Sequence, residues 1–343
     1  MGMLFWDRVQ QWHLLQYHPQ YLLFSTNPCG EQPLPPYGAC LLASLNLSNF
    51  VLHPFTQSAV IDFDRLREVT GISIIGLNEV LEEGISLHPL EQQKETARQF
   101  RQVGLGVMGL ADLFIKLGIE YGSEDSIKVS AQLGECIRDA AIRQSIEIAK
   151  VEGPYPAFDA EIIAKSDFFK SLPQDIQDDI KKYGMRNSHV LSIAPTGSIS
   201  TMWGVSGGIE PIFAKSYTRT TKSLASEGDV DYKVYTEIIR ELMDVLNVRD
   251  EKKLPAYAIT SHEIDPINRV KVQGEWQKYI DSAISSTINL NEDATVEDIE
   301  EIYVEGWKHG LKGVTVFRNN SWRTGILTTD KEEEIEEEED CST

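Results

Sequence analysis

An α/β fold is expected from three features of this chain. Residues 189–194 and 313–317 are short apolar runs with the length and composition of buried strands, and residues 41–51 alternate well enough to make another. Long stretches with helical spacing of apolar residues separate them. Strands that far apart need crossover connections rather than hairpin turns, and crossovers build α/β sheets.

In chain order, residues 4–15 carry apolar side chains at helical spacing (Leu4, Val9, Trp12 and, in part, Leu15), and residues 21–36 read as an extended loop punctuated by proline. The strand at 41–51 follows. Helices are expected over 61–81, 94–117 and 126–152, with a shorter one at 175–183 before the strongest strand, 189–194. Helical spacing returns at 232–246, 266–285 and 295–309, with strand signals at 256–259 and 313–317. No internal repeat and no obvious linker interrupts this order. The expected organisation is a helical lead-in over 1–23, one globular region over 24–327, and an acidic disordered tail over 328–343, where nine acids and one lysine fall between Asp330 and Asp340.

The 343-residue chain is 41% hydrophobic, enough for a substantial core, and no apolar run reaches membrane-spanning length. Met1 to Arg8 lacks the basic start, apolar stretch and small-residue cleavage site of a secretory signal, so a cytoplasmic location is expected. A net charge of −21 argues against a nucleic-acid surface, because phosphates demand lysine and arginine. Four scattered cysteines are too few for a disulfide scaffold, so reduced or redox-active thiols are expected. Cys136 sits in a helical run where a small buried hydrophobe is a sufficient role. Neither Cys29, Cys40 and His53 nor His189, His262 and His309 show metal-ligand spacing, and no metal site is expected. Gly104, Gly106 and Gly109 imitate a dinucleotide fingerprint without a clear preceding strand, and close backbone packing accounts for them better.

Two segments carry chemistry. In Asn27-Pro28-Cys29-Gly30-Glu31, alternation along an extended loop would put Asn27, Cys29 and Glu31 on one face. An amide, a sulfur and a carboxylate would then meet one small ligand, although a proline- and glycine-rich surface turn with a chance cysteine explains the same string. Thr196-Gly197-Ser198-Ile199-Ser200, after Pro195, follows the strongest strand and offers hydroxyls, a glycine for close approach, and a helix start whose free amides attract anions. A phosphate cradle is one reading; ordinary turn and capping chemistry is the other.

Taken together, these segments resemble one family. Residues 25–34 closely resemble the active-site loop of ribonucleotide reductase large (catalytic) subunits; residues 101–112, residues 194–200 with Gly208-Ile209-Glu210-Pro211, and residues 310–318 are similar to three further signatures, in the family's order. The resemblance runs from about Phe24 to Leu327 and implies the second half of a ten-stranded α/β barrel, with the Cys29 loop as its central finger. It implies that Cys29 is the transient thiyl that abstracts the ribose 3′-hydrogen, Glu31 the base at the 3′-hydroxyl, and Asn27 a partner of the ribose hydroxyls. Cys40 matches one half of the redox pair that supplies two electrons, and Pro195, Thr196, Gly197, Ser198, Ile199 and Ser200 match the loop that holds the substrate phosphates.

Two departures bear on the radical source. Val314 to Arg318 contains no tyrosine where radical-relay members carry two, and the short step from Cys29 to Cys40 looks like the adenosylcobalamin-dependent class. No glycyl-radical motif follows Val314. Adenosylcobalamin is therefore the cofactor the resemblance implies, with a ribonucleotide, by resemblance a diphosphate, as substrate and a thioredoxin-like dithiol as reductant. Relative to the family the chain begins just before the finger, so a complementary N-terminal chain or a second copy is expected to cover an open sheet. Cys341 stands where the family often has a mobile cysteine pair, and one thiol cannot run a dithiol exchange. The alternative expectation is an inactive remnant or interaction module that retains the site sequence.

Overall fold

The computed structural model describes residues 2–39, 41–222 and 229–319. The chain opens with β1 (Gly2–Leu4) and α1 (Trp6–Trp12), so the lead-in begins as a strand rather than a helix. A small hairpin, β2 (Ser25–Thr26) and β3 (Pro33–Leu34), leads to β4 (Leu41–Asn46). There Asn46 accepts a hydrogen bond from the Ser48 amide and turns the chain into a 3-10 turn, Leu47–Phe50, which ends the strand earlier than its alternation suggests. The ladder of β5 (Val51–Leu52) and β6 (Val60–Ile61) precedes α2 (Phe63–Ile85), α3 (Glu91–Phe100), β7 (Val103–Met108), α4 (Leu110–Leu117) and α5 (Glu124–Glu152). Three short helices, α6 (Ala160–Ile163), α7 (Asp167–Ser171) and α8 (Gln174–Tyr183), come before α9 (Gly197–Trp203). The remaining elements are the hairpin β8 (Ser216–Lys222) and β9 (Asp229–Tyr235), then α10 (Glu237–Leu246), α11 (Pro266–Gln277), β10 (Thr287–Leu290), α12 (Val296–Lys308) and β11 (Gly313–Arg318).

Helix boundaries have local causes. Asp62, Ser123 and Asp265 cap α2, α5 and α11 through their side chains, and Thr295 with Asp298 forms a reciprocal capping box on α12. Gly118 and Gly153, both at positive φ, stop α4 and α5. Four expectations are corrected here, the first being the helix expected over 266–285, which ends at Gln277 and leaves Ile284 in an extended segment that bridges Ile193. The helix expected over 94–117 is broken by β7, because Arg101 takes a left-handed conformation (φ 45°) that ends α3. Residues 232–235 belong to β9, so α10 starts only at Glu237. Residues 256–259 form no strand; the Ala258 amide closes a turn onto the Pro255 carbonyl.

Five extended segments lie side by side and parallel. β4 pairs with β7, Leu105 of β7 bridges Leu191, Ile193 bridges Ile284, and the continuation of that last segment, β10, pairs with β11. β1 adds an antiparallel edge on β11. The described residues make an open row, not a closed barrel. Close contact between β7 and residues 189–194 depends on glycine: a Cβ at Gly106 would run into the Ser192 carbonyl, and one at Gly104 would lie 2.9 Å from the Ser192 Cβ. Helices α2 and α5 pack on one another beside β4 and β7, while α11 and α12 enclose a separate apolar cluster with β10 and β11. No helix among the described residues is long and apolar enough to cross a membrane. The acidic run expected at 328–343, with Cys341, lies outside the described residues, as does Cys40.

Candidate active site

The finger is a hairpin with a tight tip, not the evenly alternating loop its sequence suggests. The Asn27 amide donates to the Gln32 carbonyl (3.1 Å), the Gln32 amide donates back to Asn27 Oδ1 (3.1 Å), and the Gly30 amide closes onto the Asn27 carbonyl (3.1 Å). Gly30 takes φ 83°, which a side chain would resist. The three residues therefore differ in setting. Asn27 braces the turn with its oxygen, Cys29 stands exposed at the tip, and Glu31 is 2% exposed. Partial burial and then the Glu31 carboxylate push the Cys29 thiol up, so it stays protonated near neutral pH.

Glu31 is fixed through its backbone and left open at its side chain. Its carbonyl accepts from Ser192 Oγ (2.9 Å) and from the Ala283 amide (2.9 Å), two neighbouring segments of the sheet. Its buried Oε2 has no hydrogen-bond partner among the described residues. An unpaired buried carboxylate oxygen is costly unless a ligand or water meets it. Gln32 is held by Gln102, whose Nε2 donates to Gln32 Oε1 (2.7 Å) while its own oxygen accepts from the Tyr21 hydroxyl (3.0 Å). On the far side, Leu4 lies 3.7 Å from where a Gly30 Cβ would stand and also borders Gly313 of β11. Residues 32, 31 and 30 thus cross the sheet from β7 to β11.

The base of the finger is polar although buried. The His13 and His189 rings meet at a tilt of 46° with centroids 4.2 Å apart, both fully buried. Burial, the His189 ring and then Lys312 push His13 well down, and burial with Lys312 pushes His189 down to about 3, so both are neutral. Lys312 is 0% exposed and donates to the carbonyls of Asp281 (2.7 Å) and Ser282. The Asp281 carboxylate accepts from the amides of Val190 (2.7 Å), Leu191 (2.9 Å) and Ser282 (2.7 Å). Burial drives the Asp281 carboxyl up and the Lys312 ammonium down, each opposing the pairing between them.

The turn after residues 189–194 begins at the carboxyl end of that segment. Thr196 adopts φ 55° and its Oγ1 accepts from the Gly208 amide (2.8 Å), so this hydroxyl shapes the loop. Pro195, Gly197, Ser198 and Ile199 are exposed, and Ser200 is buried. The first-turn amides of α9 have no carbonyl inside the helix to bond. Asp112, in α4, accepts from the Ser206 amide (2.8 Å) and thereby ties the following loop to α4. Ser192 carries the Glu31 carbonyl and lies four residues before Thr196, at most about 13 Å away along an extended chain. The Glu31 backbone and the turn are therefore reached from the same segment of the sheet. Sequence reasoning missed Gln102, Ser192, Asp281, Ala283 and Lys312. Lys312 alone carried a signal, as the charged residue of an otherwise apolar strand start.

Comparison with known proteins follows the same outline. Residues 1–317 match the model of "Ribonucleotide reductase, barrel domain". A vitamin B12-dependent ribonucleoside-diphosphate reductase of Mycobacterium tuberculosis is 37% identical over 317 residues, 89% of this chain and 42% of that protein. The protein of the same name from Thermoplasma acidophilum is 37% identical over 328 residues, 92% of this chain and 40% of its own length. The chain thus spans about two fifths of the curated relatives it matches. The solved alpha subunit of the class Id ribonucleotide reductase of Actinobacillus ureae shares the fold, with a TM-score of 0.71 at 20% identity over 94% of this chain and 58% of that one. With the family model covering nearly all the described residues and the finger, the strand-to-turn step and the parallel row in place, the chain belongs to the ribonucleotide reductase family, as its barrel domain.

Proposed function

We propose that this chain is the C-terminal catalytic part of a ribonucleotide reductase and converts ribonucleoside diphosphates to 2′-deoxyribonucleotides through a thiyl radical on Cys29. The observation that carries the reading is the fingertip, an exposed and neutral thiol beside a buried carboxylate with one unpartnered oxygen. Hydrogen-atom chemistry needs a thiol, not a thiolate, and nothing cationic is among the causes that move Cys29. Cys29 takes the 3′-hydrogen atom, Glu31 accepts the proton of the 3′-hydroxyl, and the Asn27 amide nitrogen, its oxygen being engaged, donates to a ribose hydroxyl. Cys40 and a thiol from outside this chain then yield two electrons and two protons and become a disulfide as the 2′-hydroxyl leaves as water, Cys29 returns the hydrogen atom to the 3′ carbon, and a thioredoxin-like dithiol restores the pair. The substrate phosphates rest on residues 195–200, at the free amides of Gly197, Ser198 and Ile199.

Two relatives above are named as vitamin B12-dependent; adenosylcobalamin, when bound, would supply the oxidising equivalent for the Cys29 thiol. The residues here fit that source. Cys29 is open to an outside group, the exposed Leu4 beside Gly30 offers apolar surface, and β11 holds no phenol that a radical relay could use. A complementary N-terminal chain, or a second copy, covers the open row. In support, neither β4 nor β1 has a second strand neighbour among the described residues, and Met3, Leu4 and Leu42 are exposed there. The test is to combine this chain with the remaining portion of a B12-dependent relative, adenosylcobalamin, a dithiol and a ribonucleoside diphosphate. Deoxynucleotide is expected, and its loss with Cys29→Ala; product that persists in Cys29→Ala overturns the radical role, and none from the unaltered mixture favours an inactive remnant.

A further inference from the structure

Lys312 and Asp281 take no part in the chemistry above, yet both are 0% exposed, where an ammonium and a carboxylate are rarely found without a reason. Their bonds are directed almost wholly at backbone. The Asp281 carboxylate collects the amides of Val190, Leu191 and Ser282, and Lys312 reaches the carbonyls of Asp281 and Ser282 from β11. These contacts flank the two groups that hold the finger: Ser192 follows Val190 and Leu191, and Ala283 follows Asp281 and Ser282. The pair therefore sets the spacing of the two segments between which the Glu31 carbonyl is caught.

We infer that Lys312 and Asp281 are positioning residues of the finger, fixing the backbone of Glu31 and so the separation of its carboxylate from the Cys29 thiol. A pair serving stability alone has a simpler substitute, since apolar residues of similar volume are commonly as stable in such places. The groups facing Lys312 are Asp281, Arg8, His13 and His189, none of which touches the fingertip. An effect of Lys312 on Cys29 has two routes, the Ala283–Glu31 and Ser192–Glu31 bonds and the Leu4 contact that joins Gly313 to Gly30, and only the first moves the Glu31 backbone directly. The catalytic consequence rests on the reading that Cys29 and Glu31 are the reacting pair; the positional claim does not.

The test needs no turnover. In the full chain with Cys40, Cys136 and Cys341 changed to serine, the rate of Cys29 alkylation by iodoacetamide is followed against pH, with far-UV circular dichroism as the check on folding. Lys312→Met is expected to loosen the finger, move the carboxylate off the thiol and lower the thiol's pKa by about half a unit, which is about a threefold faster reaction at pH 8. Loss of a positive charge acting only through space would raise that pKa, so the sign separates position from charge. In a Glu31→Gln background, Lys312→Met is expected to add nothing, since the neighbour that moves no longer carries charge. A folded Lys312→Met protein with unchanged or slower alkylation, or effects of the two changes that simply add, would overturn the assignment. If Lys312→Met does not fold, Lys312→Gln keeps an amide donor near the same carbonyls and is expected to give a smaller shift of the same sign; an unchanged titration there overturns it equally.

Discussion

Two buried regions of this molecule are made of opposite materials. Between α11, α12 and strands β10 and β11, the cluster of Phe5, Val270, Ile288, Leu290, Ile302, Leu311, Val314 and Val316 is apolar throughout. At the base of the finger, His13, Gln32, Gln102, His189, Asp281 and Lys312 are buried as deeply and are all polar. The first region needs only volume and hydrophobicity, and many side chains would serve. The second holds each backbone segment at one height relative to the next, because Gln102, Asp281 and Lys312 each bond to particular partners on neighbouring segments. Packing makes the sheet stable; the polar base decides where the finger sits on it.

That contrast can be broken from either side. Asp281→Leu, which leaves Lys312 buried without a counter-charge and the amides of Val190, Leu191 and Ser282 without their acceptor, is expected to cost about 3–5 kcal/mol in urea unfolding, and Asp281→Leu with Lys312→Met less by the share of the uncompensated charge. A double change as damaging as the single one would show that the pair stabilises the fold and does not only position it. Leu311→Ala, in the apolar cluster at 0% exposure, is expected to cost about 3 kcal/mol and to leave Cys29 alkylation unchanged. A shift of the thiol titration in Leu311→Ala would erase the distinction between the two regions.

The histidines sharpen it by pH. His189 is held down to about 3 in the fold against roughly 6.5 unfolded, so the unfolded chain binds the extra proton between those values. Its contribution is fully present above pH 6.5 and is lost as pH falls toward 3, with a slope of up to about 1.4 kcal/mol per pH unit. His189→Gln is therefore expected to be less sensitive to acid than the unaltered chain over that window. Equal slopes would mean that His189 is not held neutral.

Legibility follows the same division. The long helices α5 and α12 could be read because their periodicity is sustained and Ser123 and Thr295 stand at their caps. β7 could not, because two of its six residues are glycines that carry no pattern, and the left-handed Arg101 before it gives no warning in sequence. β9 was hidden by apolar residues that also fit a helix continuing into α10. The finger and the Thr196 turn could be located from their residues, but not the tip's geometry, which Asn27 sets by bonding back to Gln32. Asp281 and Lys312 are 31 residues apart and meet only once β10 and β11 are in place, so no local spacing announces them.

The central claim is that one nucleotide spans the fingertip and the Thr196 turn. The most direct measurement is a structure of this chain, completed by the remaining portion of a B12-dependent relative, with a ribonucleoside diphosphate bound. Phosphates at the amides of Gly197, Ser198 and Ile199, with the ribose 3′ carbon facing Cys29 Sγ, are the expected result. A nucleotide bound elsewhere, or one that meets the turn while its sugar points away from Cys29, would contradict it.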